Sequence, residues 1–385
     1  MHEKTPDHRQ REKGDSCDDH VNDVLHSKAE QDGDCYQREV EGKVVERCSL
    51  QPPCGFDQAV KKEDPMRENM RVAMYDQYGA PEVLYVGEAR LPEVAPDRVL
   101  IRVHASTVNG GEVSARAGKL RLLLGSRFPK KIGLDFVGEV VSVGSSVNRV
   151  TPGDRVWGIA DGLAFGAMAD YVAVRPDRIA AAPTSLSAPD AASLVAGGTT
   201  AITGLRDKGR LQPGERLLVR GASGGTGSLA VQIGKLFGAH VTGLASAASA
   251  DFVRSLGADE VLDYRETPLE HAGAFDVVYD AVGTEHRALR RLLRPGGRLV
   301  AISFDLDRLA PSLGYILGST VFGPRRVRFF SGQPRSSLLA ELARLADDGA
   351  IQPVVDTEHP LEDIAAAHRA LESGGVRGKH VISLT

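Results

Sequence analysis

Cysteine is scarce in this chain, and its distribution is uneven. The 385 residues contain four cysteines, all of them before residue 66, namely Cys17, Cys35, Cys48 and Cys54. Their spacing fits neither a zinc knuckle nor a disulfide framework. Because residues 66–385 contain no thiolate, a four-cysteine structural zinc site is excluded from that part.

Long apolar runs are missing as well. No stretch approaches the roughly 18 apolar residues that a membrane-spanning helix requires. The first 30 residues carry charges throughout, where a secretory signal would have an apolar segment. The formal net charge of −4 argues against a nucleic-acid groove or a membrane-surface role. We therefore expect a cytoplasmic protein that has neither a nucleic acid nor a membrane as its partner.

Large apolar side chains are rare in residues 1–65, which contain one phenylalanine and no tryptophan. Of the 47 Lys/Arg and 51 Asp/Glu in the chain, this segment holds 10 and 16, leaving 37 and 35 for the remainder. So much charge with so little apolar surface cannot offset the entropy lost on ordering. The segment is predicted to be a disordered acidic tail, and Met66 or Met70 is a sensible first residue of the folded protein.

After the tail, β-type runs at residues 83–86, 98–103 and 137–143 are separated by turn signals. Short strands at this spacing indicate a β-barrel-like or Greek-key unit. From about Ser187 the pattern changes, and apolar runs alternate with helical periods. This alternation predicts a doubly wound parallel sheet, with its further runs at residues 241–244, 261–262, 275–279 and 298–302. The C-terminal part is predicted to contain helices at 336–348 and 361–372 and a strand at 380–384.

The most informative motif is a glycine-rich turn between an apolar run at 216–220 and a helical period at 228–237. A strand, a glycine turn and a helix start, in that order, form the first half of a dinucleotide-binding unit. A pyrophosphate on a helix N-terminus requires accessible N–H groups and no Cβ atoms in the way. The motif predicts cofactor contacts from Ser223, Gly224, Gly225, Thr226 and Gly227.

An ordered series of motifs from Met70 to Thr385 resembles the zinc-free medium-chain dehydrogenases/reductases of the quinone oxidoreductase type. It includes Tyr78-Gly79-Ala80-Pro81, Ser106-Thr107-Val108-Asn109, Gly133-Leu134-Asp135, Gly153-Asp154-Arg155-Val156, Asp280-Ala281-Val282-Gly283, Leu293-Arg294-Pro295-Gly296-Gly297 and Arg377-Gly378-Lys379. The resemblance implies an α/β fold with a GroES-like β-barrel domain and a Rossmann doubly wound parallel sheet. Its implied boundaries are 66–190 for the first domain and 191–323 for the second, and residues 324–385 finish the Rossmann edge and return to the first domain.

The resemblance also bears on metal and cofactor. Zinc-dependent relatives have a cysteine near the position of Asn109 and a histidine at the position of Leu134, so no zinc is expected here. In NAD-binding relatives an acidic residue follows the second Rossmann strand, where this chain has Ala245. The missing acid and the neighbouring Ser246 and Tyr264 favour NADPH, with NADH less favoured. The matching motifs further imply cofactor contacts from Val282, Gly283 and Lys379. Tyr264 could instead be a half-buried tyrosine at a strand end.

Without a metal, the protein must orient the substrate and stabilise negative charge on a conjugated oxygen. This requirement favours NADPH-dependent reduction of a quinone or an α,β-unsaturated carbonyl. The candidate catalytic residues are Asn109, Thr200 and Tyr78. Asn109 could also be a turn asparagine that binds its own backbone, and Tyr78 could be a packing residue. Glu112 is expected to organise its loop, and no general acid is identified.

Two alternatives stay open. One is an enoyl or alkenal reductase of the same family, which differs only in its substrate. The other is a cofactor-binding protein with a regulatory role and no turnover. Residues 325–330 could form an edge strand at a homodimer contact, or the following Gly332 could approach the cofactor. Specificity is expected to depend on the loops at 117–131 and 315–330.

Overall fold

The computed structural model describes residues 36–40, 43–47, 68–162, 165–303, 326–330, 332 and 334–384. The chain divides into two compact units, Met1–Pro65 and Met66–Thr385. In the first unit, strands β1 (Tyr36–Val40) and β2 (Lys43–Arg47) pair antiparallel. The rest of the tail lies outside the described residues, so its disorder stays a prediction.

The second unit starts with the β-rich domain that the sequence predicts. Its strands are β3 (Asn69–Tyr75), β4 (Leu84–Arg90), β5 (Val99–Thr107), β6 (Lys130–Lys131), β7 (Asp135–Val143), β8 (Arg155–Ile159), β9 (Tyr171–Val174) and β10 (Ile179–Ala181). Strands β4, β3 and β6 form one sheet, and β10, β8, β7 and β5 are consecutive in another. Helices α1 (Gly110–Arg116) and α2 (Arg121–Leu124) lie between β5 and β6 in the chain.

The core of this domain follows from the apolar pattern of its strands. Side chains such as Ile101 in β5 and Phe136 in β7 are completely buried and belong to one cluster. The polar residue Glu139 in β7 is exposed, as expected for a sheet with one face on the core. The runs expected at 83–86, 98–103 and 137–143 fall within or next to β4, β5 and β7, and the predicted β-barrel-like unit is confirmed.

The dinucleotide-binding half is a six-stranded parallel sheet in the order β13-β12-β11-β14-β15-β16. Its strands are β11 (Arg216–Arg220), β12 (His240–Ala245), β13 (Glu260–Asp263), β14 (Phe275–Asp280), β15 (Leu293–Ala301) and β16 (Arg326–Phe329). The helices are α3 (Ala188–Ile202), α4 (Gly227–Leu236), α5 (Ala250–Ser255) and α6 (His286–Arg291). This order is that of a Rossmann fold and confirms the predicted sheet, with the strand order reversing between β11 and β14.

The C-terminal segment connects the two halves of this unit. It contains α7 (Ser336–Asp347), β17 (Val355–Pro360), α8 (Ile364–Ser373) and β18 (Lys379–Ser383). Strand β18 pairs antiparallel with β5 and parallel with β17, so the last strand extends the barrel sheet. The pairing places Lys379, at the start of β18, between the barrel and the Rossmann sheet.

Candidate active site

The glycine turn connects β11 to α4 at the carboxyl edge of the parallel sheet. Gly221 has a φ of +77°, which favours glycine. At Gly227 a Cβ atom would lie 2.0 Å from the carbonyl oxygen of Gly221, so the turn closes too tightly for a side chain. Helix α4 begins at Gly227, directly after the turn, and the amide of Ser228 donates back to the carbonyl oxygen of Gly224 over 2.8 Å. The geometry is that of an anion-binding site on a helix N-terminus.

Two cavities meet at this turn. One has a volume of about 590 Å³ and is lined by Ser246 and Tyr264. The other has a volume of about 520 Å³ and is lined by Asn109 and Lys379. The residues common to both are Gly221, Ser223, Val282 and Gly375. An elongated molecule with a phosphate at its centre would fill both cavities and place the phosphate on the glycine turn.

The C-terminal segment is hydrogen-bonded to the glycine turn. The amide of Gly378 donates to the carbonyl oxygen of Ser223 over 2.8 Å, and Gly378 and Gly224 form a parallel bridge. The aliphatic part of Lys379 lies against Gly225, where a Cβ atom would be 2.6 Å from Cδ of the lysine. Gly225 is therefore needed for the path of the Lys379 side chain.

The ammonium group of Lys379 contacts the side chain of Asn109. Its Nζ donates to Oδ1 of Asn109. The Nδ2 of Asn109 donates to the carbonyl oxygen of Thr107 over 2.9 Å and lies 3.3 Å from Oε1 of Glu112 and 3.4 Å from Oδ2 of Asp135. The side chain of Asn109 thus binds the backbone two residues before it, as expected for a turn asparagine, and Asn109 also lines the cavity. Its amide bridges a cation and two carboxyl groups.

The two carboxyl groups are buried and differ in their hydrogen bonds. Asp135 accepts from the amide of Thr107 over 2.8 Å and from its hydroxyl over 2.7 Å. The Oε1 of Glu112 lies 3.3 Å from Nδ2 of Asn109, and its Oε2 has no hydrogen-bond partner among the residues that the structure describes. Burial, and then the charge of Asp135, raise the pKa of Glu112 to about 8. Burial lowers the pKa of Lys379, against the opposing charges of Asp135 and Glu112. Near neutral pH, Glu112 therefore holds a proton.

The donor set of this cluster suits an organic ligand better than a cation. Leu134 has no ligand atom, and the ammonium of Lys379 lies beside Asn109, where it would repel a metal ion. Among the described residues, no group of three or more His, Cys, Asp or Glu side chains could hold a metal.

The 590 Å³ cavity contains the position that distinguishes the two nicotinamide cofactors. Ala245 ends β12, and the amide of Ala247 donates to Asp263 over 3.1 Å. Tyr264 is 52% exposed and lines this cavity. The guanidinium of Arg377 donates to the carbonyl oxygen of Ala248. Arg377 is thus a basic side chain beside Ala248, two residues after Ser246, and sequence reasoning missed it although its place in the Arg-Gly-Lys motif was a signal.

A buried aspartate at the end of β14 shapes the turn that both cavities share. Asp280 accepts from the amides of Val282 over 3.0 Å and Gly283 over 3.2 Å, and His286 Nε2 lies 3.2 Å away. Val282 lines both cavities, whereas Gly283 lines neither. Asp280 is a positioning residue that the motif contained but sequence reasoning did not single out.

Two of the candidate catalytic residues lie outside both cavities. Tyr78 donates its hydroxyl to the carbonyl oxygen of Gly125 and packs at 5.1 Å, ring centre to ring centre, on Phe128. Thr200 lies on α3, where a Cβ at Gly332 would be 3.4 Å from its Oγ1. The structure therefore brings Asn109 together with the predicted cofactor residues but leaves Tyr78 in an aromatic cluster.

Comparison with known proteins identifies the family. Residues 95–184 match the family model for an alcohol dehydrogenase GroES-like domain, and residues 256–382 match the model for a zinc-binding dehydrogenase. The chain is 32% identical over 391 residues to the mitochondrial NAD(P)H oxidoreductase RTN4IP1 of Mus musculus, covering 89% of this chain and 98% of the relative. The chain belongs to the medium-chain dehydrogenase/reductase family.

Further similarities place it near the quinone-oxidoreductase-type members of that family. The chloroplastic NADPH-dependent alkenal/one oxidoreductase of Arabidopsis thaliana is 31% identical over 327 residues, covering 82% of this chain and 80% of the relative. The quinone oxidoreductase of Coxiella burnetii superposes with a TM-score of 0.74 at 30% identity, covering 82% of this chain and 100% of that chain. This medium-chain dehydrogenase/reductase is thus an oxidoreductase that uses a nicotinamide cofactor.

In the ranges described above, no helix of this medium-chain dehydrogenase/reductase is long and apolar enough to span a bilayer.

Proposed function

We propose that this protein is an NADPH-dependent reductase of quinones or α,β-unsaturated carbonyl compounds that works without zinc. The observation that carries the proposal is the 520 Å³ cavity, where the glycine turn of the Rossmann sheet faces the Asn109–Lys379 pair. A bound reduced nicotinamide would supply a hydride to the substrate. The chain itself supplies orientation and the polar groups that stabilise charge on the substrate oxygen.

The polar groups of the cavity suit a substrate that is already conjugated. An ammonium has three N–H donors, and the bond from Lys379 to Asn109 uses one. A substrate oxygen within reach of Lys379 would gain a charge-assisted hydrogen bond as negative charge builds on it, an effect typically near 3 kcal/mol. Quinones and enones accept a hydride with this degree of help, and the final proton comes from solvent or a hydroxyl group.

The 590 Å³ cavity supports NADPH over NADH. Residues 245–250, at and directly after the end of β12, contain no acidic side chain to repel a 2′-phosphate, and Ser246 offers a hydroxyl. Arg377 brings a positive charge to the carbonyl oxygen of Ala248, two residues further on. An arginine beside a hydroxyl recognises a phosphate by charge-assisted hydrogen bonds.

The first test is NADPH oxidation against NADH oxidation, followed by absorbance in metal-free buffer with a panel of quinones and enones. Substrate-dependent NADPH loss that survives a chelator is the expected result, and a preference within the panel separates quinone reduction from enone reduction. Loss of turnover in chelator would contradict the zinc-free part. Tight NADPH binding with no turnover on any acceptor would favour the regulatory alternative.

Assembly and location are part of the same proposal. Strand β16 pairs with β15 and lies at the end of the described six-stranded sheet, so a second copy could continue the sheet there in a homodimer. Light scattering on the purified chain tests this, and a monomer at all concentrations would contradict it. A cytoplasmic location stays a prediction, and the mouse and Arabidopsis relatives above are named mitochondrial and chloroplastic.

A further inference from the structure

The segment between α1 and β7 has an unusual charge. Residues 113–134 contain no Asp or Glu, although Lys and Arg recur through them. Arg116 is buried and paired with Glu372 at 2.5 Å, so it serves the fold. The remaining cations are exposed or partly exposed, namely Lys119, Arg121, Arg127, Lys130 and Lys131. We refer to residues 119–131 as the α2 tip.

The α2 tip also displays the two most exposed large apolar side chains among the described residues. Leu122 is 91% exposed and Leu123 is 66% exposed, and they are neighbours on the single turn of α2. Single exposed leucines are common on protein surfaces. Two adjacent exposed leucines inside a cationic segment form an apolar patch, and such patches indicate an interaction site.

Hydrogen bonds to two backbone carbonyl oxygens stabilise the α2 tip. Lys130 Nζ donates to the carbonyl oxygen of Leu124 over 2.8 Å, and the hydroxyl of Tyr78 donates to that of Gly125. The ring of Tyr78 also packs on Gly118 and Phe128. These contacts anchor Leu124 and Gly125, which directly follow Leu122 and Leu123, and they give Tyr78 a structural role.

We propose that the α2 tip is a peripheral docking surface for anionic membranes, which inserts Leu122 and Leu123 among the lipid headgroups. The cations around the leucines complement a negatively charged lipid surface, and the two leucines supply the apolar anchor. The apolar area of two leucine side chains is far below the roughly 800 Å² that each partner buries in a stable protein interface. A lipid surface therefore fits this patch better than a folded protein partner. The formal net charge of −4 is a sum over the whole chain, so it does not reveal this local positive charge, because the acidic residues lie elsewhere in the sequence.

Docking at this place would also serve the proposed reaction. Helix α1 follows Asn109 directly and carries Glu112, so the tip lies at the far end of the helix that starts at the cavity. At a rise of about 1.5 Å per residue, this seven-residue helix spans about 10 Å. Apolar quinones and enones partition into membranes. This link to substrate supply rests on the proposed function, whereas membrane binding does not.

The test is flotation of the full chain with vesicles of phosphatidylcholine alone and of phosphatidylcholine mixed with phosphatidylglycerol. We expect flotation with the anionic vesicles, weaker flotation at high salt and little with the neutral ones. Arg121→Gln/Arg127→Gln should reduce binding roughly thirtyfold. Leu122→Ser/Leu123→Ser should reduce it at least tenfold. Leu236→Ser, which changes an exposed leucine on α4, is the matched control and should bind like the parent.

Several outcomes would overturn the proposal. These are no flotation with anionic vesicles, equal flotation with neutral vesicles, or a leucine variant that binds like the parent. A leucine variant that changes only the oligomeric state would assign the tip to a second copy of the chain. Thermal unfolding of each variant shows that it is folded, and this measurement does not depend on the proposed reaction, so a failure of flotation and a failure of the proposed reaction can be told apart.

Discussion

At the scale of single residues, Lys379 links features that are far apart in the chain. Its stem passes over Gly225 of the glycine turn, and its ammonium reaches Asn109 at the start of α1. No local pattern predicts this position, because an isolated Lys in a Gly-Lys pair reads as a surface residue. The family resemblance implied a cofactor contact, whereas the structure adds the buried cluster around Asn109.

Replacing Lys379 tests the stabilisation of charge on the substrate. Lys379→Met keeps the stem and removes the ammonium, so kcat/KM for a quinone should fall about 100-fold. The fall should lie mainly in kcat, as measured by steady-state kinetics with NADPH. Lys235→Met, which removes an exposed lysine paired with Asp259, should leave kcat/KM unchanged. An unchanged kcat/KM in Lys379→Met would rule out this role.

The buried Glu112 predicts a pH dependence of stability. The pKa of Glu112 is raised from 4.5 to about 8, so between these values the unfolded chain has lost a proton that the folded chain keeps. This contribution to the free energy of unfolding is fully present below about pH 4.5 and is lost as the pH rises to about 8. Glu112→Gln should flatten this decline, as measured by urea unfolding across that range.

The control for Glu112→Gln is the same substitution at an exposed glutamate. Glu82→Gln changes a surface residue that is paired with Arg369. It should leave the slope of stability against pH in this range as in the parent. Parallel slopes for the parent and Glu112→Gln would show that Glu112 is ionised in the folded protein at neutral pH.

The position of Arg377 predicts a preference for NADPH over NADH. Arg377→Gln removes the charge beside Ala248, so kcat/KM for NADPH should fall about tenfold, as expected for the loss of one charge-assisted hydrogen bond. The value for NADH, which has no 2′-phosphate, should stay the same. Arg254→Gln changes an exposed arginine on α5 and is the control. An equal loss for both cofactors would assign Arg377 to the fold.

At the scale of elements, the strand, glycine turn and helix at 216–237 were predictable because their signals are local. Periodicity marks β11 and α4, and glycine marks the turn between them. The partners of β18 were not predictable from the residues themselves, because its pairing with β5 joins positions more than 270 residues apart. Only the family resemblance implied that the segment returns to the first domain.

The glycine turn gives a prediction that separates its glycines. A Cβ at Gly227 would lie 2.0 Å from a backbone oxygen, whereas the nearest atom to a Cβ at Gly224 is 3.5 Å away. Gly227→Ala should therefore lower the free energy of unfolding by more than about 1 kcal/mol, and Gly224→Ala should change it little. Chemical denaturation measures both. Equal losses would mean that the turn does not close as described.

At the scale of the whole molecule, the two compact units predict that the first is dispensable. A chain that starts at Met66 contains every residue of both cavities. It should keep the kcat/KM and the thermal midpoint of the full chain. A large loss of activity or a lower midpoint would show that residues 1–65 contribute to the folded protein, contrary to the composition of that segment.

The main strands and helices, the doubly wound sheet and the dinucleotide turn could be predicted from the amino-acid sequence, because each depends on neighbouring residues and their periodicity. The lack of an acidic residue at position 245 and the lack of cysteine in residues 66–385 are also visible in the sequence. The contact of Arg377 with Ala248, the contact of Lys379 with Asn109 and the burial of Glu112 beside Asp135 arise only when the whole chain folds. These contacts join distant parts of the chain, and the pKa of Glu112 follows from the burial and charge that they create.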